Sequence, residues 1–249
     1  MNERQETIYA LVNKLGNASI EQLCSAVFAS PATIRRDLKS MEQGGLIQRV
    51  WGGAICIDRQ DNDPPLFLRS NINVLAKRAI AKAAADLLHD NATIFLPSGT
   101  TVTEFAKHLY RYKGLTVITN SLDVVRALSD HTDANVMVLG GKLYENYDMV
   151  GALTENAIDQ LNADFFFLSC SGICADGFTA MDMGRLNIMK KMQKHSAHTV
   201  LMADTAKIGK KYTFNGFSFD CVDHVVMEAM PEDAALRKAL GSKLIVATP

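Results

Sequence analysis

The chain has 249 residues, of which 48% are hydrophobic and 21% charged, with a formal net charge of -1. These are globular values with length for more than one core; the net charge excludes a generally polybasic protein, and no internal repeat or low-complexity tract appears. Five scattered cysteines, Cys24, Cys56, Cys170, Cys174 and Cys221, read as reduced thiols; Cys170 and Cys174 lack a second ligand pair, so neither a metal nor another cofactor is expected.

The first predicted element is an amphipathic helix in which Ile8, Leu11, Val12 and Leu15 recur at helical spacing up to Gly16, a glycine suited to a C-cap. Its acids argue against a secretion signal or transit peptide, and no apolar run in the chain approaches membrane-spanning length, so a cytoplasmic location is expected. A second helix follows Ser19, with Glu21 and Gln22 in its first turn and Ile20, Leu23 and Val27 facing inward. The interval Phe28 to Ser30 then turns tightly into a third helix.

That third helix carries the most informative pattern. Ser30 caps it, Pro31 takes the first helical position without losing a hydrogen bond, and Ile34, Leu38 and Met41 form one buried stripe. Off the stripe lie Thr33, Arg35, Arg36, Lys39 and Ser40, a surface suited to a major groove. Arginine bonds guanine bidentately, while lysine, serine and threonine hold phosphates. Asp37 is expected to orient an arginine or to cap. After Gly44 and Gly45, the stretches Leu46 to Val50 and Ala54 to Ile57 read as two strands around Trp51, Gly52 and Gly53. Residues 1–57 therefore form a winged helix-turn-helix whose candidate DNA contacts are Ser30, Thr33, Arg35, Arg36, Lys39, Arg49 and Trp51.

Residues 58–66 are polar, acidic and proline-ended, and read as a linker; residues 67–249 form the second domain. Phe67 to His89 reads as a long helix bearing Lys77, Ile80, Ala81 and Ala84. Apolar runs then alternate with helical patterns: Thr93 to Leu96, Thr116 to Thr119, Val136 to Leu139, Phe165 to Ser169, Thr199 to Ala203, Val222 to Met227 and Leu244 to Ala247. Such alternation predicts an α/β class domain with an open, largely parallel sheet, whose ligands bind beyond the strand C-terminal ends. The loops there are Pro97 to Thr101, ahead of a helix over Val102 to Tyr112, then Thr119 to Ser121, and Gly140 to Lys142. Glycine admits an anion close to the backbone and the hydroxyls add donors, so Ser98, Gly99, Thr100, Thr101, Thr119, Asn120, Gly140, Gly141 and Lys142 are candidate effector contacts.

The run TIRRDL, the glycine pair after it, the Arg49 wing and the tripeptide Gly52 to Ala54 resemble the amino-terminal signature of the DeoR family of bacterial transcriptional regulators. The resemblance continues through the GTT loop, the TNS at Thr119 to Ser121, Gly140-Gly141 and the ADxxK at Ala203 to Lys207. It implies a sensor domain similar to ribose-5-phosphate isomerase, a phosphorylated sugar as effector, repression of carbohydrate-metabolism genes, and Lys207 as the lysine leaning into the crevice. The chain departs from the family at three places. Trp51 stands where histidine is usual, and its indole is expected to stack against the sugar-phosphate backbone. Pro97 replaces an acid that would grip sugar hydroxyls. Asp182 and Arg185 occupy a segment where a glutamate is usual; Arg185 reads as a surface arginine, with a second anionic contact as the alternative. At least one of Lys190, Lys191 and Lys194 must face solvent.

Two other classes of function stand beside a repressor that binds double-stranded operator DNA as a homodimer or homotetramer. An aldose-ketose isomerase with a fused DNA-binding domain needs a base and acid pair, and the acids at strand ends, Asp176 and Asp204, do not supply a convincing one. A protein-interaction module would show no salt-dependent affinity for DNA.

Overall fold

In the computed structural model, which describes residues 2–43, 46–56, 69–70, 72–129, 133–144 and 147–247, the chain divides into two compact units, Met1–Pro64 and Pro65–Pro249. The expected linker 58–66, the Gly44-Gly45 pair and Ile57 lie outside the described residues.

Side-chain caps start the helices of the first unit. Helix α1 (Glu3–Leu15) opens with a capping box in which Asn2 Oδ1 accepts from the Gln5 amide at 2.9 Å and the Gln5 side chain accepts from the Asn2 amide at 3.2 Å. It stops at Gly16, whose φ of 74° suits glycine. Helix α2 (Ile20–Val27) has the same reciprocal cap between Ser19 and Gln22. Helix α3 (Pro31–Gln43) begins where Ser30 Oγ accepts from the Thr33 amide at 3.3 Å. The stripes read from periodicity are buried: Ile8 and Val12, Leu23, and Ile34, Leu38 and Met41. Each such burial contributes about 2 kcal/mol, enough in sum to hold three short helices together.

The wing holds three strands, β1 (Asn17–Ser19), β2 (Ile47–Val50) and β3 (Gly53–Cys56), in the antiparallel order β1-β3-β2. β1 was not legible in the sequence: three residues are too few for a period, and it exists because its backbone closes onto β3, with Ser19 opposite Gly53. The contact is tight enough that a Cβ on Gly53 would sit 2.2 Å from the Ala18 carbonyl oxygen.

The second unit contains, in chain order, α4 (Val74–Ala85), β4 (Thr93–Leu96), α5 (Thr100–Ala106), β5 (Thr116–Thr119), α6 (Leu122–Ser129), β6 (Asn135–Val138), β7 (Lys142–Tyr144), β8 (Asp148–Val150), α7 (Ala152–Ile158) and β9 (Ala163–Ser169). Then follow β10 (Gly172–Cys174), β11 (Gly177–Ala180), α8 (Met183–Lys194), β12 (Ser196–Met202), β13 (Phe214–Asn215), β14 (His224–Met227), α9 (Ala234–Leu240) and β15 (Leu244–Val246). All seven runs predicted as strands pair in parallel within one sheet of order β15-β14-β12-β9-β4-β5-β6.

Alternate residues of these strands enter opposite cores. Ile94, Leu96, Phe165 and Phe167 pack with Ile80 of α4, Phe105 of α5 and Val124 of α6; Phe95, Phe166 and Leu168 pack with Ile158 of α7, Leu186 of α8 and Leu236 of α9. Burial on both faces is why the strands read as continuous apolar runs.

Two helices, one hairpin and one small sheet differ from expectation. Of the long helix anticipated from Phe67 to His89, Arg69 and Ser70 are helical and α4 runs over Val74–Ala85, with Asn73 in a left-handed conformation (φ 54°) that bends the chain just before it. The helix expected over Val102 to Tyr112 starts at Thr100, ends at Ala106 and gives way to a single tight turn at Leu109–Arg111. The β7-β8 hairpin and the small antiparallel sheet β10-β11-β13 are built from pieces of two to four residues, too short to show an apolar alternation. Among the described residues, no helix is long and apolar enough to cross a membrane.

Candidate functional site

The exposed face of α3 is positively charged because its acid is turned away. Arg35, Arg36, Lys39 and Ser40 are exposed, whereas Asp37, between the arginines and the lysine, is buried. Its carboxylate accepts from Arg4 Nε at 2.6 Å and Gln5 Nε2 at 3.0 Å, both on α1. Asp37 therefore orients an arginine of the neighbouring helix and locks α3 onto α1, keeping its charge off the cationic surface. Ser30 and Thr33 share a hydroxyl contact of 3.0 Å at the helix start, where their oxygens stay close to solvent.

Arg49 on β2 is already engaged. Its Nε donates to Glu42 Oε2 at 2.8 Å and its amide to Glu42 Oε1 at 3.1 Å, and the amide, ahead of the guanidinium, holds the Glu42 carboxyl below the usual carboxylate range. The pair ties the wing to the end of α3, and Arg49 can reach a phosphate only by sharing its charge. Trp51 is fully exposed at the turn between β2 and β3, beside Gly52 at φ 84°. Sequence reasoning missed Phe28 as a surface feature: it is 97% exposed in the left-handed region at φ 50°, immediately before α3. The only signal was an aromatic residue inside a tight turn.

In the second unit, the C-terminal ends of β4, β5, β9 and β12 gather a polar cluster centred on a residue that sequence reasoning did not single out, Asp148 at the start of β8. Asp148 is entirely buried, bridges to Ser121 by backbone pairing, interacts with the Ser98 hydroxyl and accepts from Arg185 Nε at 3.0 Å. Burial pushes its carboxyl up to about 6, outweighing Ser98, Arg185 and Arg69, which favour the ionised form. Arg185, anticipated as a surface arginine, has a side chain only 15% exposed, with its guanidinium 5.5 Å from the centre of the Tyr144 ring. The reason is that Asp182 caps α8 by accepting from the Arg185 amide at 2.7 Å, which places Arg185 in the first turn, against Asp148.

The other candidates fall around this centre unevenly. Gly99 approaches Ser169, whose hydroxyl accepts from Lys207 Nζ at 2.8 Å; Lys207 also lies 3.5 Å from Asp204. Thr119 Oγ1 accepts from the Ser121 amide, and Asn120 Nδ2 donates to the Met149 carbonyl at 2.8 Å, so this loop is braced against β8. Thr101 is buried at the start of α5, and Thr100 is half-buried beside it. Gly141 serves packing, since a Cβ there would sit 2.1 Å from Thr154 Oγ1, the hydroxyl that donates to the Gly140 carbonyl; Gly140 itself has open space around its Cβ position. Lys142 is exposed on β7, Lys190 and Lys194 are exposed on α8, and Lys191 pairs with Asp159.

Several buried side-chain atoms of this cluster have no hydrogen-bond partner among the described residues: Thr101 Oγ1, Asn120 Oδ1, Ser121 Oγ and Asp148 Oδ1. Buried polar groups are nearly always paired, so four open oxygens in one cluster are unusual. The cluster also holds the start of the domain. Lys77, buried on α4 and pushed down to about 8 by burial, donates to the Arg69 carbonyl and to the Ile72 carbonyl at 2.6 Å, while Asn73 Nδ2 donates to Asp204 at 3.0 Å. Cys170 is buried, its thiol pushed up to about 11, and so has no nucleophilic character near neutrality. No group of side chains suited to a metal ion occurs among the described residues.

Comparison with known proteins places both units. The model of the DeoR-like helix-turn-helix domain matches residues 4–60, and that of the DeoR C terminal sensor domain matches residues 72–229. The L-fucose operon activator of Haemophilus influenzae is 36% identical, covering 84% of this chain and 85% of its own. The glycerol-3-phosphate regulon repressor of Escherichia coli is 31% identical, covering 92% and 91%. Among solved structures, ribose 5-phosphate isomerase A from Neisseria gonorrhoeae is a partial match, 17% identical with a TM-score of 0.39, covering 53% of this chain and 52% of that one.

Proposed function

Because this chain belongs to the DeoR family of transcriptional regulators, we propose that it represses carbohydrate-metabolism genes in the cytoplasm by gripping operator DNA through paired winged helices, under the control of a phosphorylated sugar. It is a DNA-binding regulator and not an isomerase. Pairing follows from recognition: one helix reads only a few base pairs, too few to select a site in a genome, so a homodimer or homotetramer is needed. In each copy, Ser30, Thr33, Arg35, Arg36 and Lys39 meet the major groove, while Arg49 and Trp51 meet the backbone from the wing.

The observation that carries the effector reading is the set of unpartnered buried oxygens on Thr101, Asn120, Ser121 and Asp148, in a cluster that also contains the cations Lys207 and Arg185. An anionic, hydroxyl-bearing molecule answers both halves of that arrangement. Its phosphate lies by Lys207 and the loop from Ser98 to Thr101. Lys207 pairs with Asp204, and Asp204 holds Asn73 beside the carbonyls of Arg69 and Ile72 that Lys77 grips. An anion drawn to Lys207 therefore perturbs the point where residues 57–68 join this domain. It shifts the regulator by whatever difference in affinity it has for the DNA-bound and free arrangements.

The test is fluorescence anisotropy of labelled DNA from the chain's own upstream region, titrated with triose, pentose and hexose phosphates. At least one ester is expected to change DNA affinity about tenfold, a coupling of about 1.4 kcal/mol. In Lys207→Met the response should vanish while ester-free DNA binding persists. DNA affinity indifferent to every ester would defeat the effector reading.

A further inference from the structure

We infer that Asp148 and Asn120 select the effector by its free hydroxyl groups, each taking an O–H donor on an acceptor oxygen that the protein leaves open. This rests on the effector reading above and specifies the end of the molecule opposite its phosphate. The two oxygens are left over by determinate contacts. Asn120 commits its amide nitrogen to the Met149 carbonyl at 2.8 Å, so the remaining atom, Oδ1, is an acceptor and nothing else. Asp148 takes Arg185 Nε on Oδ2 and also meets the Ser98 hydroxyl, while Oδ1 has no hydrogen-bond partner among the described residues. The residues share one backbone frame: Ser121 bridges to Asp148, and the Met149 amide donates to the Asn120 carbonyl at 2.7 Å. Ser121 Oγ, also buried and unpartnered, completes the group.

Chemistry separates the two ends of the site. A phosphate dianion presents acceptors only, so two acceptor oxygens repel it and Lys207 attracts it. A hydroxyl-bearing carbon chain presents O–H donors to the open acceptor oxygens of Asp148 and Asn120, and Arg185, held over Tyr144, keeps the carboxylate aimed. Sites that hydrogen-bond a ligand hydroxyl discriminate strongly against the analogue without it, because the buried protein group is then left unpaired. Pro97, buried between β4 and Ser98, has no polar side-chain group, so side-chain recognition of hydroxyls falls to β8 and the loop after β5.

Calorimetric titration of the full-length protein tests this with inorganic phosphate, the panel of triose, pentose and hexose phosphates, and the pair D-ribose 5-phosphate and 2-deoxy-D-ribose 5-phosphate. In the wild type, at least one hydroxylated ester is expected to bind about tenfold or more tighter than inorganic phosphate. In Asp148→Asn the ratio of those two affinities should fall by about tenfold, and in Asn120→Ser, a variant without charge change, by a smaller factor. An unaltered ratio in both variants, or a wild type in which no ester outbinds inorganic phosphate, overturns the inference while the phosphate reading stands. A protein that binds neither phosphate nor any ester overturns both.

Discussion

Replacing Arg35 and Arg36 together with alanine is expected to abolish operator binding and leave the fold intact. Both side chains are exposed on α3, while the residues that hold the helix in place, Ile34, Leu38, Met41 and the Asp37–Arg4 tie, are untouched. Alanine is also the strongest helix former, so the secondary structure gains slightly. What disappears is the charge aimed at base edges and phosphates. A good bidentate contact is worth about 1–3 kcal/mol, so the pair together accounts for roughly a thirtyfold to ten-thousandfold loss of affinity. Mobility shift with operator DNA and thermal melting followed by circular dichroism read the two halves of the claim. An unchanged shift in the double variant, or a collapsed melt, would refute the assignment of α3 as the reading helix.

The second large effect is structural. Gly53→Ala is expected to unfold the wing and cost the amino-terminal unit about 3 kcal/mol or more, comparable with the whole stability of a small domain. The added methyl would sit 2.2 Å from the Ala18 carbonyl oxygen, a backbone atom that cannot swing aside. Relief requires pulling β1 off β3, which also breaks the hydrogen bond from the Ile20 amide to the Gly52 carbonyl and displaces the start of α2. Gly52→Ala is the control. At φ 84° with open space around its Cβ position, it should cost about 1 kcal/mol in backbone strain alone. Thermal denaturation of the two variants should separate them clearly; equal melting temperatures would show that the β1–β3 contact is looser than described.

The parallel sheet was legible because its strands are buried on both faces. Thr93–Leu96 and Thr116–Thr119 match their predicted bounds, and Phe165 to Leu168 shows why: consecutive apolar residues feed two different cores. Helix α3 was equally readable, since Ser30, Pro31 and the stripe of Ile34, Leu38 and Met41 obey local rules. The centre of the polar cluster at the strand ends was not. Asp148 lies in a short strand without alternation, and its meaning comes from Arg185, 37 residues away, and from Ser98 on another loop. Arg185 looked like surface charge because nothing nearby in sequence reveals that Asp182 caps its helix and folds it inward. Gly140 and Gly141 were noticed for ligand access, yet the crowding of Gly141 against Thr154 is a packing requirement visible only in three dimensions.

The most direct test of the central claim, that the amino-terminal helices grip a particular DNA sequence by its phosphates and bases, is an anisotropy titration of the purified protein. It compares upstream DNA with a scrambled duplex of equal length and repeats the comparison as salt rises from about 50 to about 200 mM. The upstream duplex should bind about a thousandfold or more tighter than the scrambled one, with both affinities falling steeply as salt rises. Equal affinity for the two duplexes, or binding indifferent to salt, would contradict it.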